Sequence, residues 1–110
     1  SRSAENSAAV RERVIRAREL QQQRYAELPG VYANAQLPSN KVHEWCAIDM
    51  AGQTLLRAAM QKLSLRARAY DRILKVSRTV ADLAGSEHIK VEHLAEAIHY
   101  RSLDRENWGN

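Results

Sequence analysis

The run SLRARAYDRILKVSRTVADLAG, residues 64–85, sets Arg66, Arg68, Arg72, Lys75 and Arg78 among alanines, valines and leucines. A guanidinium is permanently charged and planar, and it can fork onto the oxygens of a phosphate; an ammonium adds a point charge. Arginines gathered at the start of a helix also share their position with the positive end of the peptide dipole, so both can face one anion. The competing reading is a solvated basic face whose charges only keep the helix soluble. Residue types and spacing leave the two open.

A helical wheel at 100° per residue separates the segment into two halves. Ala69, Tyr70, Ile73, Leu74, Val76, Ser77, Val80, Ala81, Leu83 and Ala84 share one broad half, which is the expected core. Arg68, Arg72, Lys75 and Thr79 form a line on the other half, flanked by Asp71, Arg78 and Asp82. Asp71 can offset Lys75 and Arg78, and Asp82 can offset Arg78, through neighbouring turns. This spacing gives Arg68 and Arg72 no such offset in sequence near the helix start, where a cation is expected to forgo roughly a few tenths of a kcal/mol of dipole stabilisation.

Other chemistry-bearing residues give weaker patterns. His43 and Cys46 share a helical face but have no convergent partners, so a packed turn beside Trp45 is expected and no metal site. His88, His93 and His99 do not repeat at ligand spacing. No glycine-rich phosphate loop, nucleophile elbow or acidic strand end is present, so the chain by itself is expected to carry no catalytic residues and not to hydrolyse ATP. Gln21 falls on an apolar stripe, where a buried amide hydrogen-bonded to a neighbouring helix is the structural reading.

The elements that must position these residues read as helices. The first is expected over about Ala8–Glu27, with Val10, Val14, Ala17, Tyr25 and Leu28 on one stripe, stopped by Pro29 and Gly30. Short helical turns are expected around Ala33–Leu37 and at 42–47. Asp49 is an N-cap for a helix from Met50 to about Lys62, with Leu55, Leu56, Ala59 and Leu63 as its apolar contacts. The basic helix starts near Arg66 or Ala67 and ends at Gly85, a left-handed C-cap. A last helix covers Val91 to about Arg101. No segment alternates as a strand, so the expected fold is all-α, a small bundle of about four helices. The expected division is a flexible polar segment at 1–7, a helical domain at 8–105 and a polar tail at 106–110.

Length and composition fit that fold. A chain of 110 residues supports one modest core, and its abundant alanine without phenylalanine suits closely packed helices. A net charge of +4 mildly favours acidic partners. Cys46, the single cysteine, excludes an internal disulfide, and no apolar run reaches the ~20 residues of a membrane span. A cytoplasmic chain with no membrane partner is expected. The unpatterned opening SRSAENSAA, without an initiator methionine, suggests a piece of a longer polypeptide.

The runs RARAYDRILKVSRTVADLAGSE and VEHLAEAIHYRSLDR, with VRERVIRARELQQQRY, NAQLP and CAIDMAGQTLLRAAMQKL before them, together resemble one family. It is the C-terminal lid domain of magnesium-chelatase-like AAA+ ATPases, the ComM competence-helicase group. The likeness covers roughly residues 8–105. It implies a lid that follows a P-loop core in the parent chain, ATP and Mg2+ held by that core, a homo-hexameric ring, and movement on DNA in branch migration. The family's serine-x-arginine start aligns with Arg66-Ala67-Arg68, which gives the γ-phosphate contact, sensor 2, to Arg68. Arg66 replaces the serine and removes a helix cap. A register with Ser64 as cap and Arg66 as sensor is the alternative. Because the first helix leads out of the core in this family, Arg18, Gln21 and Arg24 are implied interdomain contacts.

Rival readings remain at this point. The related chelatase subunits assist magnesium insertion into a porphyrin. A stand-alone module would bind DNA through Arg68, Arg72, Lys75 and Arg78, possible phosphate contacts together with Arg66, and would do so with steep salt dependence. A purely structural adaptor is the third.

Overall fold

The computed structural model describes residues 7–103, which form five α-helices and one 3-10 turn. The polar segment expected at 1–7 lies, except for Ser7, outside the described residues, as does the tail expected at 106–110. Ser7 opens the first helix.

Helix α1 covers Ser7–Arg24, a run of arginine, glutamate, glutamine and alanine with high helix propensity. Ala17 and Gln21 are its buried residues, and Tyr25 is buried just beyond it. The expected apolar stripe is covered only in this second half. Val10 and Val14 are 43% and 37% exposed. The helix ends three residues sooner than its periodicity predicts. Leu28 N–H already donates to the Tyr25 carbonyl, at 2.9 Å, in the turn leading to Pro29.

The connection holds a 3-10 turn, Asn34–Gln36, within the stretch where a short turn is expected. Helix α2, Ser39–Trp45, starts three residues before the predicted 42–47 turn because Pro38 supplies an extended residue ahead of it. Its buried Val42, with Cys46 one turn later, points inward. Trp45 meets the Tyr25 ring edge-on at 5.3 Å.

Helix α3 spans Met50–Lys62, and the Asp49 carboxylate caps it by accepting from Gly52 N–H at 2.8 Å. Gly52 allows a close approach: a Cβ there would lie 3.2 Å from Ile48 Cβ and 3.4 Å from Leu94 Cδ2. At its other end Ser64 takes φ +53°, while Leu65 N–H reaches back to the Met60 carbonyl at 3.0 Å. Ser64 therefore closes α3 as a left-handed C-cap residue and does not cap the next helix.

Helix α4, Ala67–Leu83, is the centre of the molecule. Ala69, Ile73, Leu74, Ser77 and Ala81 are buried, and Tyr70, Val76, Val80 and Leu83 half-buried, as the wheel predicts; Ala84 is exposed. Gly85, at φ +71°, ends it: Gly85 N–H donates to Asp82 O and Ser86 N–H to Ala81 O, at 3.0 and 2.8 Å. Both bonds satisfy carbonyls that the last turn leaves open.

Helix α5, Val91–Leu103, carries a reciprocal cap in which His93 Nδ1 accepts from Lys90 N–H at 2.9 Å. Leu94 and Ala97 join Leu56, Ile73, Leu74 and Ala81 in the core. A lone parallel bridge, Ile48 to Ile89, sets the starts of α3 and α5 side by side. Among the described residues no helix is long and apolar enough to cross a membrane.

Candidate functional site

The first turn of α4 carries the residues expected to meet phosphate. Arg66 is its N-cap, with extended backbone at φ −91° and ψ 168°, and its side chain makes no capping hydrogen bond. A guanidinium only donates, so it cannot accept from the amides of the first turn; the sequence expectation of a lost cap is realised. Because Arg66 takes the cap position and Ser64 closes α3, the alternative with Ser64 as cap is corrected. Arg68 and Arg72 follow four residues apart on an exposed face.

The rest of the proposed basic line does not stay at the surface. Lys75 is half-buried and its ammonium donates to the Ala35 carbonyl at 3.2 Å, so it fastens the α1–α2 connection. Arg78 is 6% exposed and donates to the carbonyls of Glu87 and Ser86, at 3.1 and 3.0 Å, besides lying 3.2 Å from Asp82. It was expected on the outer half as a phosphate or DNA contact. It instead holds the loop after Gly85, whose carbonyls have no helical partner, and that expectation is corrected.

Arg24 and Gln21 also turn inward. Arg24 forks onto Asp82 at 2.9 and 2.7 Å and donates to Asn34 Oδ1 at 3.1 Å. That hydrogen bond and the Asp82 charge hold the Arg24 guanidinium above its ordinary pKa, against the opposing effect of burial. Gln21 Oε1 accepts from Asn34 N–H at 2.9 Å. Both were offered as interdomain contacts, and both are engaged inside the domain. Arg18 is exposed on α1.

Asn34 is the residue that sequence reasoning missed. It is fully buried; its Oδ1 also accepts from Tyr25 Oη at 2.6 Å, and its Nδ2 donates to Thr79 Oγ1 and Asp82 Oδ2, both at 3.0 Å. Its signal was the polar Gln21 on an apolar stripe, which demanded a partner from another segment. Together these groups clamp α1 and the 3-10 turn onto α4.

His43 is exposed with its ring 5.5 Å from Tyr70, whereas Cys46 is wholly buried, so the two diverge. Burial pushes the Cys46 thiol up to about 11 and the Tyr25 hydroxyl up to about 12. Among the described residues no three His, Cys, Asp or Glu side chains gather as a metal site.

Comparison with known proteins accounts for nearly all of this chain. Residues 4–101 match the family described as magnesium chelatase, subunit ChlI C-terminal. The chain is 45% identical over 101 residues, 92% of its length, to the competence protein ComM of Haemophilus influenzae. It is 40% identical over the same share to the uncharacterized protein YifB of Escherichia coli. With the uncharacterized protein Rv2897c of Mycobacterium tuberculosis it shares 32% over 97 residues, 88% of the chain. Each match covers 19% of the relative, so the chain spans about a fifth of the length of these proteins. With its all-α architecture and a family match across almost its whole length, the chain belongs to the magnesium chelatase subunit ChlI C-terminal family.

Proposed function

We propose that this domain is the lid of a cytoplasmic magnesium-chelatase-like AAA+ ATPase, and that Arg68 is its sensor 2 residue, contacting the γ-phosphate of ATP bound with Mg2+ to an upstream core. The observation that carries this reading is the first turn of α4: Arg68 stands exposed in a helix start whose cap residue, Arg66, gives its amides no side-chain acceptor. An anion at that point meets guanidinium and helix N-terminus together. Arg68 would hold the terminal phosphate while it is present and release it after hydrolysis, so the position of α4 would follow the state of the nucleotide. The clamp of Arg24, Asn34 and Asp82 would pass movement of α4 to α1 without slippage.

Homo-hexameric assembly and movement on DNA, as in branch migration, extend the proposal. The likeness to a competence protein of Haemophilus influenzae supports this extension, and membership of a magnesium chelatase family supports a second reading, assistance to metal insertion into a porphyrin. Direct DNA binding by this domain alone has less support, since Arg78 is buried and Lys75 is tied to Ala35.

ATP turnover by the full-length protein, wild type and Arg68→Ala, with and without branched or single-stranded DNA, tests the proposal. A loss of about a hundredfold or more in the variant is expected, the scale of one transition-state donor to a charged oxygen, with DNA stimulating the wild type. Unchanged turnover in Arg68→Ala would remove the sensor role. Turnover indifferent to DNA would favour the porphyrin reading.

A further inference from the structure

Before Ala17, helix α1 buries no described side chain, yet its pattern continues. Val10 and Val14 stand in line with the buried Ala17 and Gln21, so the stripe that packs on α4 in the second half runs on uncovered through the first. Arg11 and Arg18, both exposed, edge this stripe on one side. From Arg13 onward α1 borders the C-terminal end of α4 at Asp82–Gly85, and no residue before Arg13 lines that shared cleft. The result is an exposed helical arm, apolar along one line and basic beside it.

A matching surface lies across the same helix end. Between α4 and α5 a groove of about 320 Å³ is lined by Val80, Leu83 and Ala84 from α4 and its end, and by Glu92, His93 and Glu96 from α5. The two carboxylates are one turn apart on α5 and exposed, so they present a single acidic edge. The apolar stripe can meet the apolar side chains of the groove, and the basic and acidic edges are opposite in sign and so complementary. Helix α1 is continuous from Ser7 to Arg24, so its own first turns cannot bend back into this groove.

We propose that the α1 arm of one copy docks in the α4–α5 groove of a second copy, with Val10 and Val14 on Val80 and Leu83, and Arg11 and Arg18 facing Glu92 and Glu96. Different patches meet, so the contact is heterologous, the type that closes into a ring when its rotation allows. A few turns of helix bury less than a stable pairwise interface, so isolated domains associate weakly and the contact gains strength where neighbours are already tethered. The inference stands apart from the phosphate reading, because it uses neither Arg68 nor nucleotide.

The test uses the 110-residue chain in sedimentation velocity and concentration-dependent amide NMR up to about 1 mM. Wild type is expected to self-associate, with shifts confined to α1 and the α4–α5 groove, and to weaken at about 1 M salt. Arg11→Glu with Arg18→Glu in one variant, and Glu92→Lys with Glu96→Lys in another, change only exposed residues. Each alone should associate at least tenfold more weakly. Mixing the two should restore association, since the intact arm of one variant meets the intact groove of the other. A wild type that stays monomeric without shifts, or a mixture no stronger than either variant alone, would overturn the proposal.

Discussion

Arg66 and Ser64 show how one residue type at one position redistributes small energies. At the α4 N-cap a hydroxyl would accept from an amide two or three residues on, and the Arg66 guanidinium makes no such bond. Arg66→Ser is therefore expected to raise the unfolding free energy by about 0.5–1 kcal/mol, measured by urea denaturation of the domain. A stability that falls would mean that the arginine makes a contact worth more than the cap. The absent cap was readable from the sequence, because N-cap chemistry is local. The role of Ser64 was not, since a left-handed serine closing α3 looks the same in one dimension as a serine opening α4.

Among elements, the decisive contact is the joint of α1, the 3-10 turn and α4. Asp82 has no exposed side-chain surface and holds Arg24 at 2.7 Å and Arg78 at 3.2 Å. Asp82→Ala would leave two guanidinium groups without their carboxylate, a loss of about 3–5 kcal/mol for a broken buried pair. Thermal unfolding of the variant checks this, and a loss under 1 kcal/mol would show water replacing the carboxylate. The limits of α3, the Asp49 cap and the Gly85 stop were legible because each depends on neighbours in sequence, whereas the end of α1 and the start of α2 each lay three residues from the expected place. The burial of Arg78 and Asp82 was not: on a wheel they lie with the solvated residues, and only a loop and a helix from elsewhere in the chain enclose them. Val10 and Val14 failed in the opposite sense, since periodicity reports which residues share a face and not what covers it.

For the whole molecule, the core sets the response to alkali. Burial raises the folded-state values of Cys46 to about 11 and of Tyr25 to about 12, from ordinary values of 9.0 and 10.0. Between those limits the unfolded chain loses protons that the folded chain keeps, so stability is full below about pH 9 and declines as pH rises toward the folded values. Denaturant titrations from pH 7 to about pH 11 should show the decline, and Cys46→Ala should flatten its first part, where the thiol is the group that ionises. The clamp carries a further consequence, in time. Arg24 and Asp82 are 58 positions apart, whereas α3, α4 and α5 follow one another closely along the chain. Closing so long a loop costs entropy before any contact repays it, so the three later helices condense first and α1 arrives late. The stability lost in Asp82→Ala should then emerge as faster unfolding, with the rate of folding almost unchanged.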